Sequence, residues 1–239
     1  SPPHLVVEPL SDLWYREFMK KPQFATGEFY HLYNRGNNKR PIFIKPFNLL
    51  RFLQSMAEFN VRGPIGSIYA KSFEKDDLLS GSTTKSAKLV DFVCYCLNPN
   101  HFHVLVKQLL DGGIVELMHK IGTGYTRYFN EKHKFSGALF QGRYRAIHVD
   151  TNDYLLYLSA YINLNPEAHQ LSGSTTKLCM SSWDEYVCDK SGKNELCNTK
   201  IILSQFNTRE DYKKFAEGAL AVIKEKKEME KSLKLLLSG

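Results

Sequence analysis

His101 and His103, separated by Phe102 in an apolar run, are the residues best suited to do chemistry in this chain. Side chains alternate along a strand, so both imidazoles leave one face while Phe102 points the other way, into a core. Two imidazoles on one face can bind a divalent metal ion together, but they do not complete its coordination sphere. A third protein ligand is therefore expected elsewhere. The same pattern also suits two partly exposed histidines at the start of a strand.

A second group lies in Asp153–Pro166, where Tyr154, Tyr157 and Tyr161 recur at helical spacing and Asn165 sits one turn beyond Tyr161. A phenol can attack a phosphodiester, and a carboxamide oxygen one turn away can supply the missing ligand. Tyr154 and Tyr157 read as packing residues. Tyr125, also on a helix after the histidine strand, is the rival nucleophile, and Tyr161 is preferred because Asn165 is beside it.

These groups need a frame. Residues 28–34 and 89–97 read as strands, and residues 101–107 as a third, joined to the second through the turn Asn98-Pro99-Asn100. Residues 46–60, about 114–131 and about 152–165 read as helices, the last stopping at Pro166 with Thr151, Asn152 or Asp153 as its cap. A short strand covers 145–150, a highly charged helix covers 208–237, and residues 61–86 read largely as loop. The hairpin is antiparallel, so the fold class is α+β: a central antiparallel sheet flanked by helices, with a helical C-terminal tail.

The chain has 239 residues, 43% hydrophobic and 24% charged, which excludes a disordered chain, a collagen-like fibre and a coiled coil. No run approaches the roughly 20 apolar residues of a membrane span. The start shows no signal-peptide pattern, so the cytoplasm is the expected location and no membrane partner is expected. Thirty-two basic against 25 acidic residues give +7, which favours an anionic partner such as nucleic acid. The five cysteines are odd in number and irregularly spaced, and read as reduced thiols rather than a zinc site.

Five segments in order carry a resemblance: His31–Gly36, Pro99–Leu105, Gly137–Ala146, Tyr161–Pro166 and Ser181–Tyr186. Together they resemble the single-tyrosine transposases with a histidine–hydrophobe–histidine (HUH) motif. The branch is the one associated with repetitive extragenic palindromes (REP). The resemblance covers roughly residues 24–190. It implies the HUH endonuclease fold, ferredoxin-like or RRM-like. The implied activity is metal-dependent cleavage and rejoining of single-stranded DNA near a hairpin, through a 5′-phosphotyrosine intermediate. On the matching positions, Tyr161 would be the nucleophile and His101 and His103 the metal ligands. Asn165 would be the third ligand, one methylene shorter than the glutamine common in the wider group. Histidine is a soft choice for a hard ion. It is the resemblance that points to Mg²⁺ or Mn²⁺.

DNA contacts are expected from Arg35, Arg143 and Arg145 in the motif segments, and from Tyr125 and Arg127 in the run Gly124–Phe129. The expected partner is single-stranded or hairpin DNA, with nucleoid association to match and a monomer favoured over a homodimer. A module of the same fold that holds hairpin DNA or RNA without cutting it is the alternative. A hydrolase that uses water is a third reading. The domain division is 1–18 as an N-terminal extension, 19–190 as the transposase domain and 191–239 as the charged tail. Ser80–Lys85 recurs identically as Ser172–Lys177, in keeping with two loops or with two copies of a short hairpin-forming insert in the gene.

Overall fold

The computed structural model describes residues 22–65, 87–168, 178–188 and 195–237, with side chains in the last segment through Glu225. The 1–18 extension, most of the 61–86 loop and both Ser-Gly-Ser-Thr-Thr-Lys copies lie outside the described residues. The elements run in chain order as β1 (Phe29–Arg35), α1 (Pro46–Phe59), β2 (Val90–Asn98), β3 (His101–Gln108) and α2 (Gly113–His133). They continue with β4 (Arg145–Val149), α3 (Asn152–Asn163), α4 (Asn165–Ala168), β5 (Met180–Ser181), α5 (Trp183–Val187), α6 (Lys200–Leu203) and α7 (Arg209–Leu237). The strands form one sheet in the order β4-β1-β3-β2-β5. All pairings between these strands are antiparallel, as the α+β reading requires.

The two faces of the sheet have different tasks. On one, Tyr30, Leu32, Phe102, Val104 and Val106 pack against Phe52 and Met56 of α1 and against Leu117, Ile121 and Tyr125 of α2. On the other, Cys94, Cys96, Leu105 and Val149 pack against Leu155, Leu158 and Ile162 of α3 and against Tyr212, Ala216 and Leu220 of α7. His101 and His103 belong to this second face, under the helix that carries Tyr161.

A β-bulge decides which residues join them. Phe92 pairs with Val106, but Cys94 already pairs with Leu105, so Val93 is an extra residue in β2. That insertion turns the rest of β2 over, placing Cys96 opposite His103 and Asn98 opposite His101. Pro99 and Asn100 are the two-residue loop of the hairpin. The segment after β1 grips it: the Pro99 carbonyl accepts from the Ile42 and Phe43 amides, and the Asn100 carbonyl accepts from Gly36.

The helix bearing Tyr161 is capped by Thr151, whose hydroxyl accepts from the Tyr154 amide at 3.2 Å. Its regular turns end at Asn163, and α4 restarts at Asn165 rather than stopping at Pro166. Proline breaks the ladder behind it yet fits the first turn of a new helix, so the chain kinks and continues. A buried polar chain ties α3 in place. Tyr212 Oη accepts from Asn163 Nδ2 (2.9 Å), Asn163 Oδ1 accepts from Ser182 Oγ (2.6 Å), and Ser182 Oγ accepts from the Tyr95 amide (2.9 Å). Through Tyr212 the first half of α7 is part of the core.

Candidate active site

Within β3, His101 and His103 project to one face as alternation demands, with ring centroids 5.2 Å apart and planes at 89°. Each ring is held from its Nδ1 side. His101 Nδ1 lies 2.7 Å from Asn100 Oδ1, an obligate acceptor, so His101 carries its proton on Nδ1 and presents Nε2. His103 Nδ1 lies 2.9 Å from Nε2 of His31, which comes from the neighbouring strand.

Asn98 completes the centre. Its Nδ2 donates to His101 Nε2 at 3.0 Å and to Asn165 Oδ1 at 2.7 Å. Asn98 and Asn165 are both fully buried, and Asn98 Oδ1 and Asn165 Nδ2 have no hydrogen-bond partner. Two lone-pair acceptors thus converge on one amide NH₂ group, inside a pocket of carboxamides that are only half satisfied. That is a donor set suited to a cation: two imidazole nitrogens and a carboxamide oxygen. Among the described residues, no cluster of three or more histidine, cysteine or carboxylate side chains is arranged to hold a metal ion. The third ligand on offer is an amide.

Tyr161 reaches the same centre from α3, its ring centroid 6.0 Å from that of His103 at 79°. Burial raises the phenol above its ordinary value of 10, and Asn165 works the other way. At pH 7 a phenol with a pKa of 10 or more is ionised in fewer than about one molecule in a thousand.

The expected DNA residues divide. Arg35 pairs with His101 across the sheet and Arg145 with Tyr33, so both lie on the histidine face at its exposed edge. Arg35 Nε donates to Gln141 Oε1, and Arg145 counters the rise that burial imposes on the Tyr33 phenol. Arg143 lines a separate cavity of about 250 Å³ with Phe102, Phe140 and His119. Arg127 is exposed on α2, the helix packed on the opposite face.

Tyr125 is a correction. It is fully buried, and its hydroxyl donates to the Ile42 carbonyl at 2.7 Å. It neither stacks on DNA nor rivals Tyr161, because Ile114, Leu117, Ile121, Tyr125 and Phe129 form the stripe by which α2 faces the sheet. Exposed rings paired with cations occur elsewhere. Lys132 lies 5.5 Å over Phe47, and Arg40 lies 5.8 Å over Phe135.

Two residues of the centre escaped the sequence reading. His31 stood in a motif segment, and its odd-numbered parity with Arg35 is the only local signal. In the sequence Asn98 marks only the start of the turn Asn98-Pro99-Asn100.

Fully buried, His31 has its pKa pushed down to about 3. The folded value lies below the unfolded 6.5, so the unfolded chain binds the extra proton and stability falls as pH drops below 6.5. At pH 5 this residue should lower stability by about 2 kcal/mol relative to pH 8. Urea unfolding at the two pH values checks this. His31→Gln should lose that part of the pH dependence, and an unchanged difference would refute the assignment.

Among the comparisons with known proteins, the family model described as "Transposase IS200 like" matches residues 79–165. Over this segment, about a third of the chain, the sequence is similar to the IS200-like transposases. The family segment spans His101, His103, Tyr161 and Asn165, and leaves β1 with His31 outside. No curated relative matches the chain. A solved structure described as a REP-associated tyrosine transposase bound to a REP hairpin aligns with 75% of this chain and 92% of its own. The identity is 11% and the TM-score 0.43. No helix among the described residues is long and apolar enough to cross a membrane.

Proposed function

We propose that this chain is a metal-dependent single-strand DNA endonuclease and strand transferase, of the REP-associated single-tyrosine kind, acting beside hairpin DNA through Tyr161. One observation carries the reading: His101 Nε2 and Asn165 Oδ1 converge on one point, and the Tyr161 ring lies 6.0 Å from His103, all within one chain. A site complete in one chain supports action as a monomer.

His101, His103 and Asn165 would hold Mg²⁺ or Mn²⁺, which when bound polarises the scissile phosphate and offsets its developing charge. Tyr161 Oη attacks the phosphorus, and the bond from phosphorus to the 3′ oxygen breaks. The phenol gives up its proton to solvent, and the departing 3′ oxygen gains one. The 5′ phosphate stays on the tyrosine. Attack by the 3′-hydroxyl of a second strand reverses these steps and joins DNA without ATP. Arg35 and Arg145 flank the histidines and would hold the backbone phosphates on either side. The exposed pairs Phe47–Lys132 and Arg40–Phe135 offer stacking faces with positive charge for unpaired bases.

The test is a labelled single-stranded hairpin from sequence flanking the gene, incubated with Mn²⁺ and run on a denaturing protein gel. A covalently shifted band, lost with a chelator, is the expected result. Tight binding with no adduct would instead make the chain a non-cleaving module. Cleavage without an adduct would make it a hydrolase that uses water.

A further inference from the structure

His31 is nearly the most buried polar residue of β1, and nothing in the reaction above uses it. Its imidazole meets that of His103 edge to edge, with centroids 5.1 Å apart and planes at 25°. The His31 Nε2 to His103 Nδ1 distance of 2.9 Å leaves room for one proton between the rings. Tyr33, two residues on, stacks on His103 at 5.8 Å, also at 25°, so the His103 ring is fixed in plane as well as in direction.

We propose that His31 is a positioning residue for the metal centre: it accepts the Nδ1 hydrogen of His103 and so fixes the tautomer that presents Nε2 to a divalent cation. The inference rests on the reading of His101 and His103 as metal ligands.

A neutral imidazole has one protonated and one bare nitrogen, and the hydrogen bond made by one decides the state of the other. If the shared proton sits on His103 Nδ1, His103 Nε2 carries the lone pair. If it sits on His31 Nε2, His103 must carry its proton on Nε2 and cannot ligate there. His101 faces no such choice, because Asn100 Oδ1 can only accept. His31 therefore does for one ligand what Asn100 does for the other, from a different strand. Partners of this kind, one shell out from a metal, change affinity by about 10–100-fold when removed.

The experiment uses the full chain, labelled with ¹⁵N on histidine. Mn²⁺ affinity is measured by electron paramagnetic resonance, and the His103 tautomer by ¹H–¹⁵N correlation with saturating Mg²⁺. His31→Leu should weaken Mn²⁺ binding by about 10–100-fold and move the His103 proton to Nε2. His31→Gln, whose Oε1 can accept, should stay close to wild type in both. Two results would overturn the proposal: His31→Leu with unchanged affinity and tautomer, or His31→Gln as impaired as His31→Leu. If His31→Leu does not fold, the wild-type spectrum still decides, since a His103 proton on Nε2 in the Mg²⁺ form also refutes it. A wild-type chain that binds neither ion overturns the metal reading together with this proposal. Wild-type binding with an indifferent His31 overturns this proposal alone.

Discussion

Replacing Tyr161 by phenylalanine should abolish the covalent protein–DNA adduct and lower strand cleavage by at least about 10⁴-fold, as removal of a nucleophile does. The substitution deletes one oxygen. The ring that meets His103 edge-on at 6.0 Å stays, and so does its packing against α3's neighbours on the sheet. Folding and hairpin affinity should therefore remain near wild type, measured by thermal melting and by gel shift of the same DNA. Tyr154 and Tyr157 are the internal controls. They share the stripe with Tyr161 but are not paired with Asn165, and burial also raises both phenols, Tyr154 to about 12. Tyr154→Phe and Tyr157→Phe should each keep the adduct. Cleavage surviving Tyr161→Phe would show that water is the nucleophile and that the phenol only packs.

Parts of this centre were legible because they depend on local geometry alone. Two histidines flanking a phenylalanine share a face in any strand. A tyrosine and an asparagine four residues apart share a side of any helix. The helix kink at Leu164 did not spoil that reading, since Asn165 stays one turn from Tyr161 while Pro166 begins a new turn. The rest depended on distant partners. Asn98 faces His101 only because Val93 bulges out of β2. In a regular ladder Asn98 would have joined the opposite face, and no residue type in Asp91-Phe92-Val93-Cys94 announces the bulge. His31 reaches His103, 72 residues away in sequence, through the β1–β3 register. Tyr125 was misread for a related reason. Basic and aromatic neighbours in Gly124–Phe129 looked like a DNA surface, but the side of α2 that faces the sheet is chosen by the fit of Tyr125 against Phe43 and Phe52. The C-terminal region followed the same rule. Its sequence reads as a charged helical tail, and the apolar stripe Tyr212, Ala216, Ala219 and Leu220 within it finds its partner in α3.

The second large effect is expected from the imidazoles. His101→Ala and His103→Ala should each lower adduct formation by at least about 10³-fold and weaken Mn²⁺ binding beyond what His31→Leu does, because each removes a ligand outright rather than misaiming one. The two variants should differ in one respect. His101 Nε2 accepts from the buried Asn98, and its Nδ1 engages the half-buried Asn100, so His101→Ala leaves the Asn98 carboxamide short of a partner inside the protein. Unsatisfied buried polar groups cost about 1–3 kcal/mol each, so His101→Ala should also lower the melting temperature. His103→Ala opens a gap among His31, Tyr33 and Tyr161, three rings that can shift toward one another. Asn98 ties the argument to the cation. Its amide hydrogens occupy the lone pairs of His101 and Asn165, and the single lone pair of His101 Nε2 cannot serve an N–H group and a metal ion at once. Mn²⁺ binding at His101 would therefore break the Asn98–His101 hydrogen bond. A chain in which both histidine variants bind hairpin DNA as tightly as wild type, yet form no adduct at any Mn²⁺ concentration, fits a catalytic centre built on top of a separate DNA-binding surface. Adduct formation undiminished in either variant would remove the metal from the mechanism.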